Sequence, residues 1–279
     1  HDMAHLLPEK KGEPNDFYDI IGIKHWYDGS PYTGSMYLRE PYLNTDFTRE
    51  VMQLPENYSG IPLIPKEELQ DFIRKYHENG WQIAFHVQGD AATQEVIDAF
   101  ANLESELSFS DRRHRLEHNL LLPSEAANRI KKLGLTPSFH INHLLYYGDA
   151  LEDELLGTVR AQAILPVKTI KDAGIPFSLH ADQPMFESNP FRLIQTAVER
   201  KTTSGRILGA AEKIKVLEAL KAMTINAAWQ IHKEDQIGTL EPGKYADFIV
   251  LDKNPLEVST NQLGQIKCLQ TYVNGNLIK

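Results

Sequence analysis

Four side chains carry the types and surroundings that chemistry would need: Lys24, His86, His118 and Asp182. Each closes a short run of strand-like composition, and all four are far apart in sequence. Such separations do not suit a local zinc finger. They suit a site assembled where successive strands end in a parallel α/β fold, the edge at which ligands and catalytic groups collect. Neutral imidazole and carboxylate are the ligand set of a catalytic Zn²⁺ that keeps one position open for water. Water on such a cation loses its proton near neutral pH, and Asp182 can accept or relay that proton. Lys24 is the odd member, because an ammonium repels a cation. It makes sense as a ligand only after carbamylation, which turns the amine into a carboxylate able to bridge two metals. Each residue also has a structural use. A buried strand histidine is usually hydrogen-bonded, a strand-end acid often caps the next helix, and a lysine is commonly a surface group. His25, His114, His140, His143 and His180 lie nearby, so several of these imidazoles must be non-ligands.

The elements that must position the four are legible from periodicity. Trp81-Gln-Ile-Ala-Phe-His86-Val reads as a strand buried on both faces. Gly89 breaks it, and Asp90 is placed to cap a helix through Phe100. A strand over residues 19–28 ends beside Lys24. Residues 66–80 repeat apolar positions at helical spacing, with Gly80 as the stop. Residues 113–119 form a short strand, 123–134 a helix, 135–141 a strand weakened by Pro137, 159–174 a helix, and 175–182 a closing strand. His86 and His118 are 32 residues apart, one βα unit, and His118 and Asp182 are 64 apart, two such units. Two irregular insertions interrupt the series, residues 30–65 and 142–158. Loops of that length are disordered or functional, often lids. They hold Tyr32, Tyr37, Tyr146, Tyr147 and His143, with His143 and Tyr147 named as substrate contacts. Residues 1–16 are polar and irregular. The expected division is residues 1–235 as the main domain and 236–279 as a small β appendage with an Asn274-Gly275 hairpin.

Composition narrows the class. The 279 residues are 42% hydrophobic and 24% charged, ordinary for a globular protein. A net charge of −9 without a basic stripe argues against nucleic acid. Glu9-Lys-Lys11 and Arg112-Arg-His-Arg115 read as solvated faces. One cysteine, Cys268, excludes an internal disulfide framework. No apolar run approaches the ~20 residues of a membrane-spanning helix.

The segments Gly22-Ile-Lys-His-Trp-Tyr-Asp-Gly-Ser30, Phe85-His-Val-Gln-Gly-Asp-Ala91, Arg115-Leu-Glu-His118 and Ser178-Leu-His-Ala-Asp-Gln-Pro184 resemble the amidohydrolase superfamily. Ala222-Met-Thr-Ile-Asn-Ala-Ala228 and the segment from Ile237 to Asp252 extend the resemblance. The branch most similar is amidohydrolase family 3, which includes N-substituted formamide deformylase and proteins labelled exoenzyme regulatory protein. The resemblance implies a (β/α)₈ TIM-type barrel with a β-sandwich built from both chain ends. It implies a carbamylated Lys24 at strand four, His86 and His118 as ligands at strands five and six, and Asp182 at strand eight as metal ligand and proton carrier. The implied reaction is attack by metal-activated water on the C–N bond of an amide-type small molecule, with one or two divalent ions.

The family's His-x-His pair on strand one has no counterpart before Lys24. The sequence therefore reads as the C-terminal portion of a longer enzyme, lacking strands one to three. One firmly held metal and little activity are expected of it alone, with open barrel edges covered by a missing N-terminal segment or by a homo-oligomer. Two rivals stand beside the hydrolase: a non-catalytic regulatory or binding protein retaining the barrel, and a metal-free aldolase using Lys24 as a Schiff base.

Overall fold

A computed structural model of the chain describes Lys11, residues 18–110 and residues 112–278. The sequence readings for residues 1–16, Lys11 apart, lie outside the described residues. The chain divides into two compact units, His1–Pro137 and Ser138–Lys279.

The first unit alternates strand and helix as the periodicity predicts. In order come β1 (Gly22–Trp26), α1 (Glu68–Glu78), β2 (Gln82–Val87), α2 (Asp90–Leu103), β3 (Arg115–His118), α3 (Ala127–Lys132) and the opening residues of β4 (Thr136–His140). β1 pairs parallel with β2, and β2 with β3. Ile83, Ala84, Phe85 and Val87 are all buried, which explains why this strand reads as a continuous apolar run. Full burial of a side chain such as Ile83 or Phe85 contributes about 1.5–3 kcal/mol. α1 turns Leu69, Ile73 and Tyr76 inward and stops at Gly80, whose φ of 87° is left-handed. α2 buries Val96, Ile97, Phe100 and Leu103.

Asp90 is the first residue of α2 rather than its cap, and the cap is Gly89. A Cβ at position 89 would lie 1.8 Å from the Tyr37 carbonyl oxygen, so only glycine fits there. The Asp90 carboxylate instead accepts the backbone N–H groups of Arg39 and Ala91, both at 3.0 Å.

Residues 30–65 lack strand and α-helix, apart from a 3₁₀ turn (Pro31–Thr33) and a π-helical turn (Phe47–Val51), but they are packed. Met36, Leu38 and Tyr42 are buried, and the Leu38 and Tyr42 N–H groups donate to the Ser59 and Tyr58 carbonyls.

In the second unit β4 continues into α4 (Asn142–Ala150), a π-helical turn (Leu151–Leu156), α5 (Gly157–Ala161), α6 (Val167–Asp172) and β5 (Ser178–His180). β4 and β5 are parallel, with His140 opposite His180. In both units the paired strands among β1 to β5 are parallel and follow their sequence order, the signature of an α/β fold. α7 (Pro190–Glu199), α8 (Val216–Met223) and α9 (Ile225–Gln230) precede an antiparallel sheet of β6 (Phe248–Leu251), β7 (Cys268–Val273) and β8 (Asn276–Leu277). Asn274 and Gly275, with φ of 47° and 75°, make the expected hairpin turn.

Two readings of this unit differ from the structure. Residues 142–158 are helical almost throughout, because Leu144, Leu151 and Leu155 form a buried face at helical spacing. The helix expected over 159–174 is broken in the middle. Pro166 lacks an N–H and disfavours a helical residue before it, and Leu165 adopts a φ of 49°. The carbonyls released by that break, Ile164 and Leu165, accept hydrogen bonds from the buried guanidinium of Arg200 at 2.7 and 2.9 Å.

Candidate metal centre

The parallel register sets Trp26 opposite His86 and Val87 opposite His118, so β1, β2 and β3 finish nearly level. Three of the four residues singled out by sequence meet at that edge. Lys24 Nζ lies 3.4 Å from His118 Nε2, and the His86 and His118 rings have centroids 4.2 Å apart at 54°. Lys24 is exposed, His86 half-buried and His118 almost fully buried. When the Lys24 ammonium donates to His118 Nε2, that nitrogen holds a lone pair, the same one a metal ion would use.

The backbone is bent at this point. His118 and Asn119 have φ of 75° and 53°, left-handed values that cost a non-glycine residue roughly 1–3 kcal/mol each. The turn is held by the Asn119 N–H, which donates to Val87 O at 2.9 Å and to Glu117 O at 3.1 Å.

Sequence reading passed over Asp28. Its carboxylate is fully buried and accepts three backbone N–H groups, from Tyr37 at 3.0 Å and from Gln88 and Gly89 at 2.9 Å. Oδ1 also lies 4.0 Å from His86 Nε2. Burial pushes this carboxyl up to about 7, against the pull of the three N–H donors. In sequence, an acid before Gly29 at a strand end signals only a turn. A strand-end acid four residues after a candidate ligand was the available clue.

In the second unit Asp182 follows β5, half-buried, with a φ of 53°. Beside it in the chain is an aromatic and imidazole cluster. The His140 ring lies 4.0 Å from that of His143 and 5.1 Å, stacked, from that of His180. Phe186 stacks on Tyr146 at 4.7 Å and lies 5.8 Å from Tyr147. His143 and Tyr147 therefore sit on a regular helix, α4, and not on a flexible loop.

An amine that can become a carbamate and two imidazoles, drawn together at one strand edge, suit a divalent cation chemically. A model of the amidohydrolase family matches residues 4–278. N-substituted formamide deformylase of Arthrobacter pascens is 29% identical over 80% of this chain and 41% of its own length. Protein LONG AFTER FAR-RED 3 of Arabidopsis thaliana is 30% identical over 98% of this chain and 45% of its own. An uncharacterized metal-dependent hydrolase from Pyrococcus furiosus superposes with a TM-score of 0.73 at 27% identity, covering 89% of this chain and 47% of that one. The chain thus spans about half the length of the relatives it matches. With the family model matching almost end to end and the strand-edge histidines in place, the chain belongs to the amidohydrolase family.

Proposed function

We propose that this chain carries the catalytic machinery of a metal-dependent hydrolase that cleaves C–N bonds of amide type in small molecules. The observation that supports this most is the meeting of Lys24, His86 and His118 at the ends of adjacent parallel strands. In this reading the strands belong to a (β/α)₈ barrel, with β1, β2, β3 and β5 as its strands four, five, six and eight, and β6–β8 belong to a β-sandwich. Carbamylated Lys24, His86, His118 and Asp182 would hold one or two Zn²⁺ ions. When bound, the cation acidifies water and polarises the carbonyl under attack.

The protein's own groups do the rest. His86 and His118 act as neutral imidazoles, so both must be unprotonated. Exposure of Lys24 leaves its amine open to CO₂, and carbamylation replaces a repelling charge with anionic oxygen. Asp182 takes the proton from the attacking water and returns it to the leaving nitrogen. His143 and Tyr147 on α4 contact the group beside the scissile bond.

Metal analysis of protein prepared with Zn²⁺ and bicarbonate, together with turnover of N-formyl and N-acyl amines, tests this. Bound metal and a Lys24 mass increment of one CO₂ are expected, with weak, chelator-sensitive hydrolysis from this chain alone. Folded protein that never retains metal would sink the proposal and favour a non-catalytic binding protein.

A further inference from the structure

Asp28 takes no part in the reaction as proposed, yet its position is costly to maintain. An ionised carboxylate with no exposure to water must be compensated from within the protein. Among the described residues no lysine or arginine pairs with it; its compensation comes from the N–H groups of Tyr37, Gln88 and Gly89. Oδ2 receives Tyr37 and Gly89, while Oδ1 receives Gln88 and faces His86 Nε2 at 4.0 Å. These contacts join three pieces of chain: the end of β1, the 30–65 segment through Tyr37, and the turn that carries His86 out of β2. Gly89 permits the arrangement, since any Cβ there would collide with the Tyr37 carbonyl.

At 4.0 Å the pair is longer than a hydrogen bond, and the carboxylate acts on Nε2 through its field, favouring the tautomer with the proton on that nitrogen. The lone pair is then on Nδ1. We propose that Asp28 is a positioning residue for His86, fixing the Nε2–H tautomer and the ring orientation so that Nδ1 is the metal-binding atom. The inference rests on the reading of His86 as a metal ligand. Outer partners of this kind alter metal affinity by 10–100-fold when removed.

The test uses the whole chain and Asp28→Asn, which keeps the size of the side chain and removes its charge. Zn²⁺ dissociation constants from chelator competition should rise 10–100-fold in the variant. Nitrogen-15 spectra of the metal-free wild type should show His86 as the Nε2–H tautomer, and the variant should lose that preference. A staple that only fastened the 30–65 segment would leave tautomer and affinity unchanged in folded variant protein, and that result overturns the inference. So does an Nδ1–H His86 in the wild type, a measurement that stands even where the variant fails to fold. Wild-type protein without Zn²⁺ affinity overturns the hydrolase reading and this inference together. Wild-type affinity matched by Asp28→Asn overturns this inference alone.

Discussion

Replacing Arg200 with methionine should destabilise the second unit by about 1 kcal/mol. Arg200 has no exposed surface, and its guanidinium donates to the carbonyls of Leu208, Leu165 and Ile164 at 2.8, 2.9 and 2.7 Å. Two of those carbonyls lie at the break between α5 and α6; Leu165 O also accepts the Val167 N–H at 2.8 Å and keeps that donor when the guanidinium is lost. Each buried carbonyl left without a donor costs about 1–3 kcal/mol. Against that, methionine relieves the burial of a charge. Burial pulls the Arg200 guanidinium down to about 10, a penalty of about 3 kcal/mol. At a middle value of about 2 kcal/mol for each of the two carbonyls left without a donor, Ile164 and Leu208, the lost hydrogen bonds outweigh the relief by about 1 kcal/mol. Urea unfolding at neutral pH measures this directly, because such a loss moves the midpoint by about 0.3–1 M. Arg200→Lys should fall between the two, since one ammonium cannot span three carbonyls as the planar fork does. If Arg200→Met unfolds within about 0.5 kcal/mol of the wild type, water or repacking satisfies those carbonyls and the account of the helix break is wrong.

Acid should weaken the first unit through His77 and His114. His114 Nδ1 accepts the Ile83 N–H at 2.9 Å, so its Nε2 carries the proton and donates to His77 Nδ1 at 3.0 Å. Burial holds the His77 imidazole below its usual 6.5, so the unfolded chain binds more protons. Stability is then intact above about pH 6.5 and falls by up to about 1.4 kcal/mol per pH unit below it, as thermal melts from pH 8 to pH 5 would record. Gly89→Ala should cost about 1–3 kcal/mol by forcing the 30–65 segment off the β2 turn, and proteolysis within that segment should quicken. A Gly89→Ala protein with wild-type melting temperature would show that the close approach to Tyr37 is not needed.

What the sequence discloses depends on how far each signal reaches. β2 is unmistakable because both of its faces are buried, leaving seven residues from Trp81 to Val87 almost wholly apolar. Lys24, His86 and His118 stand out because each is a polar residue where apolar composition ends. Asp28 does not, since its burial and its contact with His86 arise from pairing β1 with β2, and turns use the same residue types. The helical nature of residues 142–156 is obscured by Gly148 and the acidic run Glu152-Asp-Glu154, although Leu144, Leu151 and Leu155 carry the period. Arg200 reads as an ordinary charged residue after a helix. Its partners are carbonyls released by a proline 34 residues earlier, which no local pattern reveals.

Helical order in α4 bears on how this protein can diversify. His143 and Tyr147 occupy one face of a rigid rod, whereas Lys24, His86 and His118 are dictated by strand register. On the proposed reading of His143 and Tyr147 as substrate contacts, exchanging side chains on the rod retunes which molecules are accepted without moving any strand by a residue. A slip of one position in β1 would instead carry Lys24 to the opposite face of its sheet. On that reading selectivity can change through α4 alone, while Lys24, His86 and His118 stay fixed by strand register.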